Sequence, residues 1–249
     1  MKYWYIALVV LIFAGCTGPT RLEIDGTAPG IKSGVFNIVD IKNKPVYGDN
    51  ITDGKFSINE LLEYPGYHMI KVTNMFDSKA THMPYEIYLE PGKYAIEING
   101  ADLSKYPKIT TDSKTQQEVS TYYTLADELM ADIQKQIKEK TEFLKSSEAN
   151  SLPGNEYVAK VDELKAARIK EKEIEATLIE KFVEKYPQSE IAAHFIYSLD
   201  YKSDPVRYYN LFNKLSDAAK NTDEGKVLNE RLARLIKLVP GGEGPAIYG

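Results

Sequence analysis

The stretch 113–144, SKTQQEVSTYYTLADELMADIQKQIKEKTEFL, decides the architecture of this chain. Its apolar residues recur at alternating intervals of three and four, as Val119, Tyr123, Ala126, Met130, Ile133, Ile137 and Leu144. This spacing places them along one stripe of a helix, interrupted only by Lys140, with polar side chains around the rest. Ser113 with Gln116, or Thr115 with Glu118, has the spacing of a capping box. The stretch therefore predicts a long amphipathic helix that begins near Ser113.

A second long helix is predicted to fold back on the first. The segment 146–154, SSEANSLPG, breaks the helical pattern because Pro153 and Gly154 oppose helical backbone. The pattern resumes near Glu156 and stops before Pro187, with an apolar face of Ile174, Leu178, Ile179, Phe182 and Val183. Two helices joined by a short break pack antiparallel. We interpret the many charges as a solvated outer face, and a coiled-coil arm for a partner or for dimerisation is the alternative.

The amino terminus has the pattern of a secretory signal. Lys2 supplies a positive charge, residues 6–13 form an unbroken apolar run, and two small residues precede Cys16, the single cysteine. A run this short does not span a bilayer permanently. A cysteine directly at the exit resembles a bacterial lipoprotein signal, in which the thiol is acylated and becomes the first residue, although Phe13 stands where that pattern usually has Leu. The alternative is a plain signal peptide with an unrelated cysteine.

The lipoprotein pattern implies a location as well as a membrane partner. Residues 1–15 are predicted as the signal peptide and 16–20 as a flexible tether, so that lipidated Cys16 anchors the protein in a bacterial membrane. We expect the outer membrane, on the side that faces the periplasm. With one cysteine in the chain, no internal disulfide can form.

Charge and motifs exclude several classes of function. The net charge is −5 and no basic patch occurs, which argues against nucleic acid as a partner. His68, His82 and His194 lie far apart without the spacing of metal ligands, and residues 49–53 predict a hairpin turn better than a calcium loop. No nucleotide or nucleophile fingerprint is present. We therefore expect no catalytic residues, no metal and no cofactor.

Residues 21–111 predict a β-rich domain. Short alternating runs at 35–41, 51–58, 68–72, 85–89 and 94–98 are separated by turn dipeptides such as Asp53-Gly54 and Pro91-Gly92. The expected structure is an antiparallel sandwich or barrel-like sheet of six to eight strands. Tyr85, Tyr88 and Tyr94 are candidate ligand-binding residues, because stacked tyrosines can form a glycan-binding face. The alternative is that these rings pack on half-buried faces of the sheet.

The remaining chain predicts shorter helices. Ser189 is expected to cap one helix, Asp204-Pro205 to start another, and the last to run from about Asp223 to Leu238. Residues 112–238 thus form a helical region and 239–249 a tail. The predicted fold class is α+β, with an antiparallel β domain followed by a long helical hairpin and shorter helices.

The order of the turn motifs resembles a known lipoprotein family. These motifs are Ile24-Asp25-Gly26, Val46-Tyr47-Gly48, 53–56 (DGKF), 63–65 (EYP) and 88–94 (YLEPGKY). Together with the signal and the following helices, they resemble Bacteroidetes lipoproteins with an amino-terminal DUF4369 domain, a domain of unknown function. In that family, helices and usually a thioredoxin-like domain follow. Three further segments resemble the chain around the start of that domain. The stretch just before the domain is matched by 186–189 (YPQS) and 224–228 (EGKVL), and its opening is matched by 242–246 (GEGPA).

The resemblance implies a non-catalytic, membrane-anchored accessory module of thioredoxin-like lipoproteins, with a protein partner in the cell envelope. Thiol–disulfide exchange needs a thiolate, and no cysteine follows Cys16. Two alternatives remain open at this point. One is a truncated thiol–disulfide oxidoreductase that lacks its catalytic domain, and the other is a glycan- or peptide-binding lipoprotein. The oligomeric state is left open.

Overall fold

The computed structural model describes residues 20–77 and 85–239, and it has the predicted α+β fold. The strands are β1 Arg21–Thr27, β2 Ser33–Val39, β3 Pro45–Thr52, β4 Lys55–Leu61, β5 Gly66–Asn74, β6 Tyr85–Leu89, β7 Gly92–Glu97 and β8 Lys108–Thr111. The predicted signal peptide, Cys16, His82 and the tail beyond residue 239 lie outside the described residues. Within the described ranges, no helix combines the length and apolar character needed to cross a membrane.

The eight strands form one curled sheet in the order β6-β5-β2-β3-β4-β1-β7-β8. Neighbouring strands are antiparallel except β1 and β7, which run parallel. Strands β3 and β4 pair only beside their turn, where Thr52 faces Lys55. Alternate residues of the strands point into a single core, which includes Leu22, Ile24, Phe36, Ile38, Ile58, Ile70, Ile87, Leu89, Tyr94 and Ile96. Strands β3 and β4 therefore have few backbone hydrogen bonds between them.

Side chains from β3 bridge the gap that the missing backbone pairing leaves. The Asp49 carboxylate accepts a hydrogen bond from the Ser57 N–H at 2.7 Å. The Tyr47 hydroxyl accepts from the N–H groups of Glu63 at 2.8 Å and Tyr64 at 3.2 Å. Backbone N–H groups without a partner in the strand ladder are satisfied in this way, so the two side chains link β3 to β4 and to the residues that follow β4.

The predicted helical hairpin is confirmed. Helix α1 spans Lys114–Leu144, α2 Ser147–Asn150 occupies the break, and α3 Gly154–Lys185 packs back along α1. The Ser113 side chain caps α1 by accepting from the Gln116 N–H, as the capping-box pattern predicts. The predicted stripes supply the buried seam, which includes Val119, Met130, Ile133, Leu178, Ile179, Phe182 and Val183.

Four further helices pack at the base of the hairpin: α4 Ala192–Ser198, α5 Pro205–Asn213, α6 Asp217–Asn221 and α7 Asp223–Leu235, followed by a 3-10 turn. Asp204 caps α5 with Pro205 at its first position, as predicted. The predicted cap at Ser189 is wrong, because α4 begins after Ile191. The Ser189 hydroxyl instead donates to a carboxylate oxygen of Glu118 on α1 at 2.5 Å.

Candidate functional site

A buried histidine joins the helices to the sheet. His194 Nδ1 on α4 lies 2.9 Å from Glu224 Oε1 on α7, and Nε2 lies 3.1 Å from Glu86 Oε2 on β6. The imidazole also stacks in parallel on Tyr67 of β5, with ring centroids 3.7 Å apart. Its side chain is only 11% exposed. One side chain therefore connects two strands of the β domain with two of the carboxy-terminal helices.

The two carboxylates keep His194 charged. Burial lowers the pKa of the imidazole, but the hydrogen bonds to Glu224 and Glu86 outweigh it and raise the pKa to about 9. At neutral pH both ring nitrogens carry a proton and donate to the carboxylates. An imidazolium in this state has no lone pair for a metal ion or for general-base catalysis. The arrangement is that of a connector between the sheet and the helices.

A cluster of tyrosines extends the junction along α1. The Tyr123 and Tyr106 rings stack with centroids 4.8 Å apart, and Tyr85 meets both edge-on. The Tyr106 hydroxyl donates to the backbone oxygen of Glu86 at 2.9 Å, and the Tyr123 hydroxyl reaches the Glu86 carboxylate at 3.2 Å. Burial raises the pKa of the Tyr106 and Tyr123 phenols, so both remain protonated donors. Glu86 is thus the shared acceptor of this junction.

Gln116 forms the polar centre of the same interface. The capping-box pattern predicts that its side chain turns back to Ser113, but its carboxamide faces the sheet instead. Its Oε1 accepts from the Tyr88 N–H at 2.7 Å, and its Nε2 donates to the Tyr106 hydroxyl at 3.0 Å and to Ser120 Oγ at 2.9 Å. The side chain is fully buried. Its position just before the apolar stripe is the only sequence signal for this role.

The three candidate ligand tyrosines do not share an exposed face. Tyr94 is 2% exposed, and its hydroxyl accepts from the Glu90 N–H and donates to the Tyr88 carbonyl. Tyr85 is also buried, and its hydroxyl donates to the Ser104 carbonyl. Tyr88 is half-buried and packs edge-on against Tyr67. Their packing is the one expected for tyrosines on half-buried sheet faces, and ligand binding by them stays a prediction.

An open groove of about 960 Å³ crosses the solvent face of β1, β4, β7 and β8 and reaches β3. Its lining consists mostly of hydroxyl, amide and charged side chains: Asp25, Thr27, Asp49, Asn50, Thr52, Lys55, Ser57, Glu97, Lys108 and Thr110. Lys108 and Glu97 approach each other at 3.9 Å. Asp25 and Lys55 form no ion pair with any other described residue. The groove therefore offers free charges of both signs at its surface.

The side chains that line the groove offer hydrogen-bonding groups and charges. Its lining contains no histidine and no cysteine, and the Asp49 carboxylate already accepts from the N–H groups of Ser57 and Asn50. Among residues 20–77 and 85–239, no group of three His, Cys, Asp or Glu side chains converges as a metal site. Hydroxyls, amides and opposite charges along open strands suit a polar, extended ligand. The sequence indicates which residues face outward, but not that the strand order brings them around one groove.

The comparisons with known proteins leave the family of this chain unassigned. No model of a protein family matches the sequence, and no curated protein matches it either. The resemblance to the DUF4369 lipoproteins therefore stays a prediction that rests on the order of the turn motifs and on the lipoprotein signal.

Proposed function

We propose that this protein is a non-catalytic, lipid-anchored binding module of a bacterial cell envelope. In this proposal the groove across β1, β4, β7 and β8 holds a polar, extended segment of an envelope protein. The observation that carries the proposal is the groove itself, with its free Asp25 and Lys55 and its rows of hydroxyl and amide groups. The DUF4369 resemblance adds that the partner belongs to the thioredoxin-like lipoproteins.

The absence of catalysis is part of the proposal, and the cysteine content supports it. Thiol–disulfide exchange begins with attack by a thiolate. Cys16 is the only sulfur that could form one, and acylation would occupy it. A module of this kind would bind its partner or hold it in place at the membrane, while any redox chemistry would belong to the partner.

The anchor is tested by changing one atom. Cys16→Ser is expected to move the protein from the membrane fraction to the soluble fraction, because the hydroxyl does not accept the acyl-bearing group that the thiol carries. Fractionation of cells that express each form measures the share of the protein in the membranes. The intact mass of the native protein shows whether Cys16 carries acyl chains. Ser33→Cys serves as the matched control with an added thiol and should stay in the membranes. Retention of Cys16→Ser in the membrane fraction would refute the anchor.

The groove is tested by site-specific photocrosslinking in the native envelope. A benzophenone amino acid at Thr110, an exposed position on edge strand β8, is expected to form one adduct of defined mass, and Lys55→Glu in the same chain should reduce it several-fold. The charge reversal acts because it removes an attraction for the partner's acidic groups and adds a repulsion.

The matched control places the same crosslinker, or the same charge reversal, at Lys138 on the exposed side of α1. A crosslinker at Lys138 should not give the adduct, and Lys138→Glu should not reduce the adduct formed at Thr110. Equal yields from both positions, or an adduct unaffected by Lys55→Glu, would show that the groove is not the binding surface.

A further inference from the structure

We infer that the end of the β domain next to the tether is a second membrane contact, which enters the interface of a phospholipid bilayer. Three exposed apolar side chains mark this end: Ile41 is 91% exposed, Leu61 57% and Tyr64 52%. We call these three residues the apolar end patch. The inference rests on the proposed anchor at Cys16, and it adds that the anchored protein has one fixed orientation.

Strand topology brings the apolar end patch together beside the start of β1. Arg21, the first residue of β1, pairs with Leu61, and the Leu62 N–H donates to the Thr20 carbonyl at 3.0 Å. The turn that carries Ile41 lies at the same end, because β3 starts there and its Tyr47 hydroxyl accepts from the Tyr64 N–H. All three side chains therefore lie at the end of the sheet where the tether enters.

Chain length limits how far this end can be from an anchored Cys16. Four peptide units separate Cys16 from Thr20, and four fully extended residues span at most about 14 Å. The acyl chains of a lipidated cysteine lie in the hydrocarbon region. Because Thr20 is bonded to Leu62, the end of the sheet lies within that reach of the bilayer surface.

The turn at Ile41 is built to present an apolar tip. The Asp40 carboxylate accepts from the N–H groups of Lys42 at 2.9 Å and Lys44 at 2.8 Å, and Asn43 has a φ of 67°, so the turn is tight. Ile41 is exposed in this turn and is followed by the exposed side chains of Lys42 and Lys44. An apolar tip beside cationic side chains matches the acyl and phosphate layers of a membrane interface.

The charges at this end define the kind of contact. Lys42, Lys44 and Arg21 are exposed here, but so are Glu60 and Glu63. The two signs nearly cancel, so apolar insertion and the amphipathic ring of Tyr64 supply the attraction instead of a net charge. The contact is therefore expected with zwitterionic lipids as well as with anionic ones.

Docking in this way would place the groove and the hairpin of α1 and α3 away from the bilayer. Strand β1 runs from Arg21 at the tether to Thr27 in the groove. The carboxyl end of β6 faces the tether, because Leu89 pairs with Gly66 at the start of β5. Near the start of helix α1, Gln116 contacts Tyr88, and two turns later Tyr123 contacts Glu86. Helix α1 therefore runs away from the end that faces the tether. Both features then point toward the aqueous side, where a partner can reach them.

The test measures the depth of a spin label in the acylated, full-length protein reconstituted into vesicles of phosphatidylethanolamine and phosphatidylglycerol. With the native thiol acylated, Ile41→Cys provides a single labelling site. The label at position 41 should be several-fold more accessible to dissolved oxygen, and several-fold less accessible to a water-soluble nickel complex, than a label at Ile169→Cys on α3. Ile169 is a matched control because it is also an isoleucine with an exposed side chain, 62% exposed, and lies on α3 away from the apolar end patch.

A second experiment places the label outside the apolar end patch, so that the label does not replace one of the residues under test. A label at Lys44→Cys should move into water when Ile41→Ser, Leu61→Ser and Tyr64→Ser are combined, while the protein still sediments with the vesicles. Equal nickel accessibility at positions 41 and 169 in sedimented protein would overturn the inference and leave the anchor intact. Failure of the unlabelled native protein to sediment would instead refute the anchor, and the inference with it.

Discussion

Replacing His194 with glutamine is expected to lower the free energy of unfolding by about 3 kcal/mol at neutral pH. Glutamine can donate to one carboxylate, but it carries no charge and cannot bridge Glu86 and Glu224 from opposite edges of a ring. The Glu86 side chain is only 18% exposed, so its charge would remain in the interface without its cationic partner. Loss of the stack on Tyr67 adds to the cost.

The same histidine makes the stability depend on pH, and the direction is set by its raised pKa. In the unfolded chain the imidazole titrates near 6.5, whereas in the folded protein the pKa is raised to about 9. The folded state therefore binds the proton more tightly. The contribution of His194 is complete below pH 6.5 and is lost as the pH rises through about 9, with a total on the order of 3 kcal/mol.

Denaturant unfolding of both proteins across this range measures the effect. The difference in unfolding free energy between the native protein and His194→Gln should be largest below pH 6.5 and should shrink above pH 9. Lys172→Gln is the control, because the Lys172–Asp200 ion pair joins α3 to the loop after α4 but lies about half-exposed, where ion pairs contribute little. A difference that stays constant from pH 6 to above pH 9 would contradict the assigned role of His194.

Gly26→Ala is expected to destabilise the β domain by about 3 kcal/mol or more. Gly26 on β1 pairs with Phe56 on β4, and the Phe56 ring lies over the glycine. A Cβ at position 26 would lie 2.0 Å from Cζ of that ring, which is far inside van der Waals contact. Phe56 would have to leave its stack on Phe36, where the ring centroids are 4.2 Å apart in the core.

A compensating change distinguishes this clash from a general effect of alanine in a strand. Phe56→Leu shortens the ring side chain, so the double variant should be less destabilised than the sum of the two single variants. Gly154→Ala is the matched control, because no atom lies within 4 Å of its Cβ position at the start of α3, and it should be neutral or slightly stabilising. Additive costs for Gly26→Ala and Phe56→Leu would argue against the clash.

Local patterns in the sequence determine the two long helices and the β character of residues 21–111. The alternating spacing from Val119 onward predicts α1, because a helix repeats every 3.6 residues and the apolar stripe must be buried. Ser113 and Asp204-Pro205 mark helix starts correctly, since a cap needs only the N–H groups of the next turn. Alternation of apolar and polar residues predicts the β domain, because successive side chains of a strand point to opposite faces of the sheet and one face is buried. The predicted lipidation signal at Cys16 rests on a local pattern as well, and it stays a prediction because it lies outside the described residues.

Only the tertiary structure decides how distant groups pair. His194 meets Glu86 across 108 residues of chain, and no local pattern encodes that contact. Ser189 is a residue type that often caps helices, but its hydroxyl donates to the Glu118 carboxylate, 71 residues away, because a charged oxygen is a strong acceptor. The groove arises in the same way. Outward-facing residues are readable from alternation, whereas the strand order that places β3, β4, β1, β7 and β8 side by side depends on pairing between distant segments of the chain.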